Sequence, residues 1–320
     1  MGDIDWHFTR VSAEPLLDLR AVPWSFAETP SRPTVIFPTV VDTQAFGGAL
    51  PQPLDRYYLF YAPHHSRAMG LATAARPEGP WTPYAGNPFL RLDDVTGLRG
   101  HISSPEIVYR PDRPAAPFWL YFHGLALPRG GGQQTCLATS TDLLHWTLIS
   151  PEPILTATEE QTGDENTAAY VRIFRYQEWW YGLYKAEKAH GLARSPDGVA
   201  WEHWPHNPLI RPEAAEEEYD RIRHTAVLLA GDTLHILYST LTRPDLSREE
   251  IKLASLPLHG RDWLEWGPLE RRGIVFAPEL PGEADDVRDP FLLVQDEALY
   301  LYYVGGHERG IGLAKATSPR

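Results

Sequence analysis

One four-residue phrase recurs five times along the chain and constrains its architecture more than any single residue does. It reads Gly70-Leu71-Ala72-Thr73, Cys136-Leu137-Ala138-Thr139, Gly191-Leu192-Ala193-Arg194, Lys252-Leu253-Ala254-Ser255 and Gly312-Leu313-Ala314-Lys315. Self-similarity of this kind marks a repeat architecture. A tryptophan follows four of the phrases, at Trp81, Trp146, Trp201 and Trp263 or Trp266. Seven residues after each of the first three tryptophans, a proline leads an apolar pair: Pro88-Phe89-Leu90, Pro153-Ile154-Leu155 and Pro208-Leu209-Ile210. Upstream of each phrase lies an aromatic segment (58–61, 119–122, 180–184, 234–238, 299–303), and before that an apolar one (38–41, 105–109, 167–173, 225–229, 290–294). Each unit thus reads as four short strands parted by Gly, Pro and Asp turns. Four strands per unit and five units predict an all-β, five-bladed β-propeller.

The two ends of the chain fit that expectation. The fifth unit stops at Arg320 straight after its third strand, whereas the N-terminus carries Trp6 and then Glu14-Pro15-Leu16-Leu17. Residues 1–17 are therefore expected to complete the fifth blade, closing the ring and removing an open sheet edge. The chain reads as a single domain over 1–320. With 43% hydrophobic residues, 320 residues bury a large core without disulfide or metal. The net charge of −13 excludes a nucleic-acid partner, which demands a basic surface. Cys136 is the only cysteine and reads as packed rather than reactive. The charged first ten residues carry no signal-like apolar run, and no stretch reaches the roughly 18 apolar residues of a membrane span. A soluble, cytoplasmic protein without a membrane partner is expected.

In a propeller blade the innermost strand starts at one mouth of the central channel and the second strand returns to it. Residues heading the first strands are His101, Ser103, Ser104 and Glu106, then Asp164, Glu165 and Asn166, then Arg223 and His224, then Arg288 and Asp289. Following the second strands are His64, His65, His123, Lys185, Ser239 and His307. One rim thus collects histidines, carboxylates and cations, while the other receives ordinary turns. Strand alternation sends His64 and His65 to opposite sides, so one of them faces the channel. Gly305-Gly306-His307-Glu308-Arg309-Gly310 lies between two strands with no helix behind it, which argues against a phosphate cradle.

The phrase Gly191-Leu192-Ala193-Arg194-Ser195-Pro196-Asp197-Gly198 with Trp201 resembles the blade repeat of the five-bladed glycoside hydrolases of families 43, 32, 117 and 130. The resemblance covers essentially the whole chain. It implies a carboxylate base or nucleophile, a carboxyl acid and a tuning carboxylate, all on innermost strands. Asp289-Pro290 looks like the segment carrying the base, Glu165-Asn166-Thr167 like that of the acid with Thr167 in place of proline, and Pro105-Glu106 like that of the auxiliary carboxylate. The first blade departs from the pattern, since it has Phe37 where an aspartate is expected, and Asp42 falls at the far end of that strand. A rotation by one blade, to blades five, two and three, accommodates all three carboxylates. Alternatively Arg223-His224 takes the acid role, a design that some family 117 relatives resemble.

The function implied is hydrolysis of a small glycoside or oligosaccharide by carboxylate acid/base chemistry, with an exo preference if loops such as 211–221 close the mouth. Asp289, Glu165, Glu106 and His224 are the candidate catalytic residues. Arg223, Arg288, His101, His123, Lys185, His64 and His307 are the candidate substrate contacts. The rim cations also suit an acidic sugar. No cofactor is required, although the rim histidines could take a metal ion. A non-catalytic sugar-binding propeller and a metal- or histidine-dependent enzyme are the alternatives.

Overall fold

The computed structural model describes residues 4–24, 33–126, 132–157, 167–186, 188–212, 221–242, 248–260, 262–296 and 298–317. They form five antiparallel sheets in chain order, each a blade of the propeller. The innermost strands are Ile36–Asp42, Leu98–Tyr109, Ala169–Tyr176, Arg221–Ala230 and Val287–Gln295. The second strands are Tyr57–Ala62, Phe118–Ala126, Trp179–Lys185, Thr233–Thr242 and Ala298–Gly305. The repeated phrase lies on the third strands: Ala68–Ala74, Gln133–Ser140, His190–Ser195, Arg248–Pro257 and Gly310–Thr317.

The phrase is explained by what it packs against. Its leucine and the alanine after it are buried in every blade, as core residues between neighbouring sheets must be. Its glycine, present in blades 1, 3 and 5, pairs with the last tyrosine of the second strand: Gly70 with Tyr61, Gly191 with Tyr184, Gly312 with Tyr303. A Cβ at these glycines would stand 2.4–2.5 Å from the tyrosine ring, so the ring lies where a side chain would be. The proline-led pairs also have a place. Leu90, Leu155 and Ile210 return to the head of their third strand, pairing with Met69, Thr135 and His190.

Blade 5 obtains the same two outer pairings from the other end of the chain. Thr9–Arg10 pairs with Lys315 and Ala314, and Leu17–Asp18 pairs with Ile311 and Gly310. The N-terminal segment therefore closes the ring as expected. Arg10 fastens it through an ion pair of 2.6 Å to the buried Glu283.

Every inner strand slips register soon after it enters its blade, between Ile36 and Thr39, Ser103 and Glu106, Ala169 and Arg172, Ile222 and Thr225, and Arg288 and Phe291. The residues just past the slip are Thr39, Glu106, Arg172, Thr225 and Phe291, one from each blade. They build a floor across the channel. Arg172 donates to Glu106 Oε2 (2.7 Å), to the Thr225 carbonyl (2.8 Å) and to Thr39 Oγ1 (3.3 Å), and its guanidinium stands 5.9 Å from the Phe291 ring. Glu106 also accepts the Ile173 N–H, and Thr39 donates to the Pro105 carbonyl. These polar members are almost inaccessible to water. Removing one partner of such a pair leaves a buried charge uncompensated. Arg172→Met is therefore expected to lower unfolding free energy by about 3–5 kcal/mol in a urea titration, and a double change with Glu106→Met to recover much of it. A cost below about 1 kcal/mol, the worth of an exposed pair, would rule out the structural role.

Candidate active site at the channel mouth

One step above the floor, the first residue inside each slip is Phe37, Ser104, Tyr170, Arg223 or Asp289. Four of them hold a left-handed backbone, with φ of 57°, 56°, 52° and 48° for Phe37, Ser104, Tyr170 and Asp289. Such backbone costs about 1–3 kcal/mol per residue and persists where the surroundings enforce it. A bulge of this kind re-aims a side chain, and here rings from non-adjacent blades meet across the channel. Phe37 of blade 1 lies 5.3 Å from Tyr170 of blade 3 and 4.9 Å from His224 of blade 4, while Tyr170 and His224 are 4.6 Å apart. Phe37 thus fills the position where blade 1 lacks its carboxylate, and Asp42 pairs with Arg56 at the far end of the strand.

Asp289 is the fully buried carboxylate of this layer. Its Oδ1 contacts Nδ1 of His224 and lies 3.5 Å from Nε of Arg288. Burial works to protonate it, but the groups around it, His224 and Arg288 foremost, outweigh that effect and hold its pKa well below the usual carboxylate range. Burial likewise lowers His224 to about 4, with Asp289 only partly restoring it. At neutral pH the pair is a carboxylate accepting Nδ1–H from a neutral imidazole, which leaves Nε2 as the basic nitrogen. Arg288 remains a cation because three carboxylates surround it. Its Nη1 reaches Glu308 Oε1 at 3.0 Å and Glu249 Oε2 at 3.4 Å, besides the Asp289 contact. Glu308 in turn binds His64 Nδ1 at 3.0 Å, and its carboxyl is lowered to about 2 despite burial, through His64 and Arg288.

The remaining histidines line one side of the mouth in sequence. His64 stacks on His65 at 4.0 Å, His65 meets His101 at 5.4 Å, His101 meets His123 at 5.7 Å, and His123 packs on Tyr170 at 4.1 Å. Burial lowers His101 to about 4 and moves His123 well below the usual imidazole range, so both are neutral imidazoles. Both ring nitrogens of His123 and the hydroxyls of Ser103 and Ser104 are buried with no hydrogen-bond partner among the described residues. Unpaired polar groups at that depth are a cost that a polar ligand would relieve. Lys185 stands 5.9 Å over the Tyr170 ring, and Arg223 is half-buried beside them. Among the described residues no group of three His, Cys, Asp or Glu is arranged to hold a metal ion.

The structure thus brings together Asp289, His224, Arg288, Arg223, His64, His101, His123 and Lys185. Glu106 is not part of this cluster, because the Arg172 pair engages it in the floor. Glu165, together with Asp164 and Asn166, and loop residues 213–220 lie outside the described residues. His307 is 66% exposed and pairs with Asp286, so the blade 5 hairpin sends Glu308, not His307, to the mouth. The expected alternation of His64 and His65 also fails. The second strand of blade 1 ends at Ala62, and past that point a turn with His65 at φ 53° stacks the two rings on one side. Sequence reading missed Glu308, hidden in a glycine-rich turn, and Glu249, which heads a third strand. Cys136 is buried and its thiol is pushed up to about 12, as a packed cysteine would be.

No protein-family model and no curated protein matches the chain. Solved structures do. It is similar to a family 43 β-xylosidase/α-arabinofuranosidase from a compost metagenome, solved with xylotriose in calcium-free form (TM-score 0.65, 12% identity, 97% of this chain and 95% of that one). A family 43 enzyme from Xanthomonas citri, solved with xylotriose, gives a TM-score of 0.62 at 13% identity over 96% and 90% of the two chains. An N-acetylgalactosamine deacetylase from F. plautii, solved with blood group B trisaccharide, gives 0.65 at 14% identity over 97% and 95%. The chain has the five-bladed propeller fold that family 43 glycoside hydrolases share.

Proposed function

We propose that the chain hydrolyses a glycosidic bond of a small glycoside or oligosaccharide at this channel mouth, with Asp289 and His224 acting together as its base. The observation that carries the reading is the buried contact between Asp289 and His224 at the mouth, with Asp289 in a left-handed backbone inside a bulge. Asp289 fixes the imidazole with its proton on Nδ1, so that Nε2 can take a proton from the attacking water. Phe37 and Tyr170 pack against the imidazole and restrict its orientation, and an apolar face of that kind also suits the carbon face of a sugar ring. Arg288 keeps Asp289 ionised. The reaction also needs an acid on the opposite side of the bond, and Glu165 is the carboxyl that the sequence offers for it.

The test is a screen of aryl-glycosides and oligosaccharides with the purified protein, followed by His224→Ala on whichever substrate is cleaved. Wild-type protein is expected to release sugar, and the variant to stay folded while losing about 10²–10⁴-fold in rate. The acid limb of kcat/KM is expected to fall as pH drops through the low His224 pKa, because protonated His224 cannot accept a proton. A protein that binds oligosaccharides but cleaves none at any pH would be a sugar-binding propeller instead.

A further inference from the structure

We propose that the sugar taken up at the mouth carries an anionic group, a uronate carboxylate or a sulfate ester, and that the guanidinium of Arg223 selects it. The inference rests on the hydrolytic reading above and names its substrate class. Three cations belong to this rim, Arg223, Arg288 and Lys185. They differ in what they already hold.

Arg288 is buried and its charge is taken up, with Glu308 at 3.0 Å, Glu249 at 3.4 Å and Asp289 at 3.5 Å. Lys185 donates to the Ala186 carbonyl at 2.9 Å, a neutral acceptor, and keeps its charge beside the Tyr170 ring. Arg223 is half-buried, so water and ligands reach it, and among the described residues its guanidinium has no hydrogen-bond or ion-pair partner. Its charge acts on Tyr170, His224 and Asp289, which places it beside the ring and the imidazole that a bound sugar would face. The charges of the mouth thus fall on two sides of His224. Around the entry to blade 5, the carboxylates of Asp289, Glu308 and Glu249 all touch Arg288, and His224 and His64 add a second partner to the first two. On the side of blades 3 and 4, Arg223 and Lys185 flank Tyr170, and Lys185 acts on the imidazoles of His123 and His190, which bring no negative charge. A cation drawn partly out of water without a partner is costly, and an anion supplied by a ligand relieves that cost.

The chemistry of the partner follows from the donor. A planar guanidinium presents parallel N–H groups to two oxygens of a carboxylate or sulfate, and such charge-assisted bonds are about twice as strong as neutral ones. A neutral sugar offers hydroxyls alone and leaves the cation uncompensated. The net charge of −13 opposes a long polyanion lying along the surface, whereas a single anionic residue inside the mouth meets Arg223 and Lys185 at close range. Arg223 is therefore a specificity-determining residue, holding the anionic substituent while Asp289 and His224 act on the attacking water. The competing role, in which Arg223 only helps to keep Asp289 ionised, would matter equally for neutral and anionic substrates, and that difference is measurable.

The experiment compares aryl glucuronides and galacturonides of both anomers with the matching neutral glucosides and galactosides and with their 6-sulfates. Wild type, Arg223→Gln and Arg223→Lys are assayed in parallel, each checked for folding by its melting curve. Wild type is expected to prefer the anionic member of a matched pair by about 10-fold or more in kcat/KM. Arg223→Gln should lower kcat/KM for that member by about 10–10²-fold, the scale of a hydrogen bond to a charged group, mainly through KM, so that the preference collapses. Arg223→Lys should recover part of it, since the charge returns without the fork. Preference for the uronate or for the sulfate identifies which anion the site takes. Equal losses on both members of a pair would overturn the proposal in favour of the supporting role. A wild type that prefers neutral glycosides overturns it too and leaves the hydrolytic reading standing. Calorimetric titration with free glucuronate, galacturonate and the two 6-sulfated sugars needs no turnover. Binding that Arg223→Gln abolishes, in a protein that cleaves nothing, upholds the anion site and sinks hydrolysis, whereas neither binding nor cleavage of any anionic sugar sinks the anion site.

Discussion

Asp289→Asn is expected to leave the propeller folded and to lower turnover about 10⁴-fold, the scale on which a histidine loses its orienting carboxylate. Asparagine is among the residues that tolerate a left-handed backbone, so the 48° φ of this position is retained at little cost. What changes is charge and proton placement. The amide cannot be ionised by Arg288, and its NH₂ group, if turned to His224, would meet a ring nitrogen that must then be an acceptor. The imidazole would carry its proton on Nε2, the atom that has to accept one. Steady-state kinetics on a substrate found by the screen, with melting curves as a control, reads the effect. A variant within 10-fold of wild type would mean that His224 works without Asp289, and a dead His224→Ala beside it would make histidine the sole base.

Removal of residues 1–17 is expected to destabilise the whole ring. Phe8 and Leu17 are buried core residues supplied by this segment, and burying each is worth roughly 1.5–3 kcal/mol. Their loss also bares the outer edge of Gly310–Thr317 and leaves Glu283, which is 4% exposed, without Arg10. Together these put the cost on the order of 5 kcal/mol, with aggregation through the exposed edge. Thermal or urea unfolding of the truncated chain is the measurement. An unchanged midpoint would mean that the two N-terminal pairings contribute no stability.

The architecture was legible in the sequence because each blade repeats one packing solution. A glycine lies under a tyrosine, leucine and alanine face the neighbouring sheet, and a proline-led pair returns to the strand head. Even the closure by the N-terminus followed, since Trp6 and Pro15-Leu16-Leu17 reproduce the outer part of a blade. The mouth was legible in part, because strand order alone fixes which rim His224 and Asp289 occupy. Pairings between blades were not. Glu106 and Arg172 stand 66 residues apart, and no local pattern says that they meet. Glu308 became visible only through the closure of the ring, where its carbonyl accepts the Val35 N–H at 2.8 Å and its carboxylate reaches Arg288 and His64. Glu249 was passed over because it heads a third strand, which blade topology keeps away from the channel until its edge meets the entry to the next blade.

Among the described residues, the Arg172 floor closes the channel below the mouth. Under the proposed hydrolysis, substrate, attacking water and both products would share that opening, and a polymer could not be drawn through the ring and cut as it passes. A chain end or a short oligomer has to enter head first, and the fragment held against the floor can leave only after the outer fragment has gone. Release is therefore ordered, and the inner product is the one expected to compete with fresh substrate as a simple competitive inhibitor.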